Sequence, residues 1–492
     1  MGVLSEHWAA LMNKDLSSGL GVINMDTSSF IGGFSGTKGS GGTTDGPAGY
    51  IAPVSQVVIP NKGEYTFSAF FALGTVEQIR DYAYSLRGKV MAQGAEASEE
   101  PQPQHVDTHA PCTVDEDCEL NGECTSSGAC RCDAQWFGPS CGQLRLLPTT
   151  RDSGYRGGGT GGLQNASDPT STWGGSITGP DDSGRWHMFA ARMGLNCGLL
   201  SWESNSEVVH AVATNPLGPY QPKEPAVVPR FAHNPTVHRG GDGAYYLYHI
   251  GCGQNSSTPR RDCTNGTTPR LPPDAAAEGS GCDGPHWMGG LTARSPDGPW
   301  LPFPSEITLS SPAKADHWLT NPAPALMPNG TLLWVYRQSG GSWPHSNASS
   351  ERLGIATAAS WDSMTLDDKT PAAPLFPFPL EDQYVWRCKR GFYHALTHKG
   401  QPRAPDRQLG GGKTPMAGHL FSRDGLAWSI GTTDAPYNNS IALTDGTTLQ
   451  TGKRARPQLV VKDGAPLYLT TGAEAADDGD FVFTTVQPIA QR

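Results

Sequence analysis

At 492 residues the chain exceeds what one hydrophobic core ordinarily supports, so two or three domains are expected. Glycine (61) and proline (41) are abundant and charged residues make up only 17%, a turn-dense composition that suits an all-β extracellular protein better than a helical cytosolic enzyme. A net charge of −11 with no basic stripe argues against nucleic acid or an anionic membrane surface as partner, and no apolar run is long enough to span a bilayer.

Residues 1–93 read as a β-rich segment. Short apolar or alternating runs lie at Gly21-Val22-Ile23-Asn24-Met25, Gln56-Val57-Val58-Ile59 and Tyr65 to Phe71. The glycine-rich loop from Gly36 to Gly46 lacks the Lys-Ser/Thr ending of a phosphate-binding loop, since Gly39 follows Lys38. Val76, Ile79, Ala83 and Leu86 then recur at helical spacing. Strands followed by a terminal helix resemble the β-sandwich end of some large carbohydrate-active enzymes, which implies that 1–93 is the end of a truncated sandwich domain. The start, Met1 to Glu6, has neither the basic residues nor the apolar stretch of a signal peptide. Six Asn-x-Ser/Thr sequons, at Asn165, Asn255, Asn265, Asn329, Asn347 and Asn438, nevertheless suit a secreted glycoprotein. The expectation is an extracellular or secretory-pathway protein whose N-terminus is incomplete. Residues 94–111 are polar and aperiodic, as a linker is.

In residues 112–141, Cys112, Cys118, Cys124, Cys130, Cys132 and Cys141 fall at C-x5-C-x5-C-x5-C-x-C-x8-C. Thirty residues cannot build a core unaided, so this module is stapled by disulfides. The spacing and the ending Cys132-Asp133-Ala134-Gln135-Trp136-Phe137-Gly138-Pro139-Ser140-Cys141 resemble an epidermal-growth-factor-like module. That resemblance implies pairing of first with third, second with fourth and fifth with sixth cysteine, and a spacer or protein-docking role. The acidic pair of calcium-binding versions is absent before Cys112, so no metal is expected there. Among Cys197, Cys252, Cys263, Cys282 and Cys388, one bridge is expected to staple the Pro/Gly-rich insertion framed by Cys252, Cys263 and Cys282, and an odd count leaves one thiol over.

From about residue 145 to 490 a pattern recurs. Each unit opens on a short polar motif, passes through a Gly-bearing turn into an aromatic-rich strand, and ends a third strand in a tight turn such as Asn215-Pro216-Leu217-Gly218-Pro219-Tyr220 or Ser295-Pro296-Asp297-Gly298-Pro299-Trp300. The openings align as Trp173-Gly174, His233-Asn234-Pro235, Thr320-Asn321-Pro322, Glu381-Asp382-Gln383 and Ala455-Arg456-Pro457. Units of short strands cannot bury their apolar faces singly and stack into a ring, here a mainly β, five-bladed β-propeller. The first strand of each blade lines the central channel, so the openings converge on one mouth.

These openings, the "SPDGPW" turn, Glu381-Asp382-x-x-Val385-Trp386 and Arg454-x-Arg456-Pro457 resemble the five-bladed propeller of glycoside hydrolase family 43 and its arabinanase/levansucrase/invertase relatives. The resemblance implies a poly- or oligosaccharide partner, hydrolysis of a glycosidic bond without cofactor, and three mouth carboxylates on the first three blades. This chain departs there: Trp173-Gly174, Asn234 and Asn321 cannot ionise. The carboxylates that could substitute are Asp382, Glu381, Glu203 and Asp316. Neighbours on a strand face opposite ways, so only one of Glu381 and Asp382 is expected at the channel, with Asp382 favoured. Trp173, His233, Asn234, Asn321, Trp386 and Arg456 are the expected substrate contacts; His233, His317, His394 and His419 lack metal-ligand spacing. Two functions follow, a hydrolase with a non-standard carboxylate set or a glycan-binding or adhesion protein that has lost its acids. Hydrolysis requires two mouth carboxylates about 5–10 Å apart.

Overall fold

The computed structural model describes residues 8–12, 19–23, 30–35, 48–53, 70–75, 78–79 and 82, then 111–155, 170–257, 259–263, 282, 288–311, 318–339, 352–371, 375–376, 380–398, 417–431, 435–475 and 481–491. It divides into two compact units, residues 1–108 with 444–447, and residues 109–443 with 448–492.

In the first unit, β1 (Trp8–Met12), β2 (Gly19–Ile23) and β5 (Phe70–Gly74) form an antiparallel sheet with β2 in the middle. A hairpin pairs β3 (Phe30–Ser35) with β4 (Ala48–Pro53). Val22, Ile23 and Ile79 are buried. At the end of β5 a helical turn begins where Thr75 and Gln78 cap each other reciprocally: Thr75 N–H donates to Gln78 Oε1 (2.9 Å) and Gln78 N–H to Thr75 Oγ1 (3.3 Å). The expected strand at 56–59, the loop from Gly36 to Gly46 and the linker up to residue 110 lie outside the described residues, as does most of the expected helix.

The second unit opens with the cysteine-rich module: β6 (Gly122–Cys124) pairs with β7 (Cys130–Cys132), and β8 (Trp136–Phe137) with β9 (Gln143–Leu144). Its bridges are Cys112–Cys124, Cys118–Cys130 and Cys132–Cys141, the order that the resemblance implied.

Five four-stranded blades follow. Blade 1 holds β10 (Ser171–Thr178), β11 (Trp186–Met193), β12 (Ser206–Ala213) and β13 (Gln221–Val228). Blade 2 holds β14 (His233–Arg239), β15 (Tyr245–Ile250), β16 (Met288–Ala293) and β17 (Leu301–Pro302). Blade 3 holds β19 (Trp318–Leu326), β20 (Leu332–Ser339), β21 (Arg352–Ala358) and β22 (Thr365–Asp368), with β18 (Thr308–Leu309) added at its outer edge. Blade 4 holds β23 (Glu381–Arg387), β24 (Tyr393–His398), β25 (Ala417–Ser422) and β26 (Ser429–Ile430). Blade 5 holds β27 (Ser440–Ala442), β28 (Thr448–Lys462), β29 (Ala465–Ala475) and β30 (Val482–Pro488), with β28 pairing β27 at its start and β29 along its length.

A middle strand lies between neighbouring blades on both faces, so its residues are buried without alternation; β15, β24 and β25 are buried throughout. Each gap between blades has its own apolar cluster. Tyr248, Met288, Leu319 and Trp334 fill the gap between blades 2 and 3, and Val335, Ile355, Val385 and Leu420 that between blades 3 and 4. The ring closes through residues 144–155. Thr149 Oγ1 donates to Val486 O (2.7 Å), Leu147 N–H to Pro488 O (2.8 Å), and Gly154 N–H to Leu217 O (2.7 Å), which ties blade 5 to blade 1. The remaining cysteines leave one thiol over, Cys388, as the odd count required, and form two bridges: Cys252–Cys282 staples the insertion as expected, and Cys197–Cys263 is additional to it. The additional bridge fastens the loop after β11 to the insertion in blade 2. The described sequon residues Asn255, Asn329 and Asn438 are exposed.

Candidate functional site

The five inner strands share one irregularity. Strands β10, β14, β19, β23 and β28 each break register with the next strand at the same point. The residue in the break has a left-handed backbone every time: Gly174 (φ +62°), Asn234 (+49°), Asn321 (+54°), Asp382 (+59°) and Arg456 (+52°). A bulge of this kind places an extra residue and re-aims its side chain. Repeated five times around a ring, it brings five residues to the axis, at the positions where the sequence openings align.

Those residues bond to one another. Asp382 Oδ1 accepts from Asn234 Nδ2 and Asn321 Nδ2, each at 2.9 Å, and Asp382 is only 6% exposed. Arg456, 1% exposed, donates from a terminal nitrogen to Asn234 O (2.7 Å). Burial pushes its guanidinium down to about 10 while the Asp382 charge opposes that shift. A Cβ on residue 174 would stand 2.4 Å from Arg456 Cγ, so both space and positive φ require glycine there. Gln383 Nε2 completes the hub by donating to Asn321 O and Val335 O.

Above this hub lies a cavity of about 240 Å³. Trp173, Trp202 and Trp318 form aromatic walls, joined by Leu199 and Ile250; Asn234, Asn321, Asp382, Thr320 and His233 line it lower down; Glu381, Arg337 and Lys453 supply charge. Glu381 Oε2 is 3.2 Å from Arg337 NH1 and Oε1 is 3.1 Å from His398 Nδ1. Arg337 lies over the Trp318 ring (4.8 Å) and Lys453 over the Trp173 ring (4.9 Å). The amide nitrogens of Asn234 and Asn321 are spent on Asp382, and their Oδ1 atoms, together with His233 Nδ1, are buried without a partner among the described residues. Burial, with Arg456 and Lys453 nearby, pulls His233 down to about 3 and keeps it neutral. Glu203 follows Trp202 on a one-turn helix, Trp202–Asn205, and burial lifts its carboxyl to about 7 against the pull of Arg261.

Glu381 and Asp382 both line the cavity, contrary to the expectation that only one would. The left-handed bulge at Asp382 breaks the alternation on which that expectation rested. Trp173, His233, Asn234 and Asn321 meet at the cavity. Glu203 is not among the lining residues, and Asp316 and His317 lie outside the described ones. Arg456 sits in the hub beneath. Arg454 points the other way, lying over Tyr437 and donating to Thr471 Oγ1 (3.0 Å) and Gln487 Oε1.

Trp386 is not at the mouth. It is packed with Trp136 of the cysteine-rich module (ring centroids 6.4 Å) inside a cluster shared with blades 4 and 5. There the module's Glu119, 3% exposed, receives His419 Nδ1 at 2.7 Å, and His419 Nε2 lies 3.1 Å from His394 Nδ1. Arg390 donates to the carbonyls of Leu120 and Gly122, and Arg423 forks onto Glu116. The expected spacer is therefore fixed to the propeller. Lys453 and Arg337 were not foreseen. Neither belongs to a motif, and Lys453 faces the mouth only because β28 breaks register between Thr451 and Lys453.

Fold and hub together define a five-bladed β-propeller with a cavity over a polar axis, the architecture that the resemblance implied. No family profile matches the chain, and no curated protein matches it by sequence. Among solved structures it is similar to Zg3597, a family 117 glycoside hydrolase of the marine bacterium Zobellia galactanivorans, at 13% identity over 71% of this chain and 90% of that one, with a TM-score of 0.44. A GH62 hydrolase in complex with xylotriose gives 9%, 70%, 97% and 0.44, and a thermostable family-43 glycoside hydrolase gives 11%, 64%, 89% and 0.39. At such identities and TM-scores these likenesses carry no argument about what this chain does.

Proposed function

We propose that this is an extracellular glycan-acting protein that hydrolyses a glycosidic bond in the mouth cavity. The carrying observation is the cavity itself: three tryptophans around polar groups whose acceptor atoms are unspent. Sugar rings offer apolar faces to indoles and hydroxyls to such acceptors, and a buried acceptor without a partner is costly unless a ligand or water supplies one. Asp382 is engaged by both amides and acts as the node of the hub. Glu381 is therefore the carboxylate assigned to the reacting sugar, and Glu203, next to the lining residue Trp202 on the one-turn helix and raised to about 7 by burial, is assigned as proton donor. Hydrolysis needs such a division, one group ionised and one able to protonate the leaving oxygen. The five disulfides and exposed sequons support an extracellular setting. The cysteine-rich module is read as epidermal-growth-factor-like, serving here as a fixed cap on blade 4.

The test is sugar release from an oligosaccharide panel by the wild type, Glu381→Gln and Glu203→Gln. Glu381→Gln is expected to lower the rate by at least about a hundredfold. Loss of the donor's proton should give the wild type a falling limb near pH 7 that Glu203→Gln removes. One observation favours a second reading, a glycan-binding protein without turnover: Glu203 does not line the cavity and Asp382 is occupied. Binding that Trp318→Ala weakens, with no sugar released from any substrate, would decide for that reading.

A further inference from the structure

The two cations at the mouth are not equivalent. Both lie over a tryptophan at almost the same distance. Arg337 is matched by Glu381, with 3.2 Å between their charged atoms. Lys453 has no ion-pair partner among the described residues: its ammonium lies over the Trp173 ring, and its cross-strand neighbour on β29, Glu474, does not line the cavity. The other groups that line the cavity do not supply the missing charge. Asp382, the other carboxylate lining the cavity, gives Oδ1 to two amides and faces the buried Arg456. His233, on the same side of the mouth, is neutral and keeps an unpartnered Nδ1. Among the described residues that line the cavity or its floor, three cations, Arg337, Lys453 and Arg456, stand against two carboxylates, Glu381 and Asp382, and the surplus lies at Lys453.

We propose that Lys453 forms an anionic subsite, so that the glycan taken up carries a carboxylate or sulfate group placed between Lys453 and His233 against Trp173. The inference rests on the glycan reading above and names the substrate class within it. An unpaired ammonium on an aromatic face in a partly enclosed cavity meets an anion with little competition from water. A neutral sugar would leave that charge unanswered. Glu381, paired with Arg337, repels an anion in the cavity less than a free carboxylate would.

The test is affinity measured by calorimetry on the full chain with three oligosaccharides of equal length: neutral, uronic-acid-containing and sulfated. The wild type is expected to prefer at least one acidic ligand, with the preference shrinking as salt rises. In Lys453→Gln the acidic-to-neutral affinity ratio should fall about ten- to hundredfold, and Lys453→Arg should retain most of it. Because the ratio is taken within one variant, a folding defect would show separately as loss of the neutral ligand. Preference for the uronate alone or for the sulfate alone identifies the group. Equal binding of neutral and acidic ligands, or an unchanged ratio in Lys453→Gln, overturns the inference while leaving the glycan reading intact. Failure of all three to bind overturns both.

Discussion

Blades 1 and 4 carry the same pair of histidines and complete it differently. His187 on β11 and His394 on β24 both stand opposite the residue four beyond their blade's left-handed bulge, Thr178 and Trp386. Their partners on the third strands are His210 and His419, and the pairs lie 2.9 Å and 3.1 Å apart. In blade 1 the acid is local: Asp181, six residues before His187, reaches its Nε2 (3.1 Å) while also binding Ser183 and Arg185. In blade 4 the acid comes from the cysteine-rich module, 300 residues away, and meets the other histidine. The same register position thus finishes a hairpin in one blade and forms a socket in the other. His187, His210 and Asp297 bring three ligand atoms within 4.8 Å. Asp297 is already held by Lys223 (2.6 Å) and Arg185 (2.7 Å), which suits a closed ion-pair cluster.

Among single substitutions the largest effect should come from removing the socket's acid. Glu119→Ala strips a buried pair of one member and is expected to cost about 3–5 kcal/mol in chemical denaturation. Asp181→Ala, at a partly exposed network, should stay within about 1 kcal/mol. Equal losses would break the distinction between socket and hairpin.

Acid should act on both histidine pairs at once. Burial holds His210 down to about 4 and His394 well below the ordinary range. A depressed imidazole is protonated first in the unfolded chain, so stability is complete above about pH 6.5 and declines as pH falls toward 4, by up to about 1.4 kcal/mol per pH unit for each such group. Thermal midpoints between pH 7 and 4 would show this, and a flat profile would refute neutral burial of the pairs. The smallest effect belongs to Arg423→Ala. Its fork onto Glu116 is solvent-exposed on both sides, and a change within about 0.5 kcal/mol is expected in the same assay.

The axis was legible in the sequence because each blade repeats its opening, and the aligned residues Gly174, Asn234, Asn321, Asp382 and Arg456 are the ones that share the left-handed bulge. What repeats is local, and local pattern survives in a single sequence. The role of Trp386 was not legible. Its partner Trp136 lies 250 positions earlier in a module whose spacing speaks only of its own disulfides. Lys453 escaped for a different reason, since strict alternation cannot be read through a strand that breaks register beside it. The joint presence of Glu381 and Asp382 at the cavity follows from the same failure of alternation.

The strap that closes the ring has a kinetic consequence. Thr149 and Leu147 bond to β30 across more than 300 residues of chain, as do Ser171 and Thr172 in joining β10 to the same strand. Contacts so distant in sequence carry a heavy loop-closure cost and form late. Four blades can therefore be assembled while the circle is still open, with the outer flanks of blades 1 and 4 bare. Residues 482–490 set the moment of completion, and a chain halted before them during synthesis would present two unpaired sheet faces to whatever is nearby.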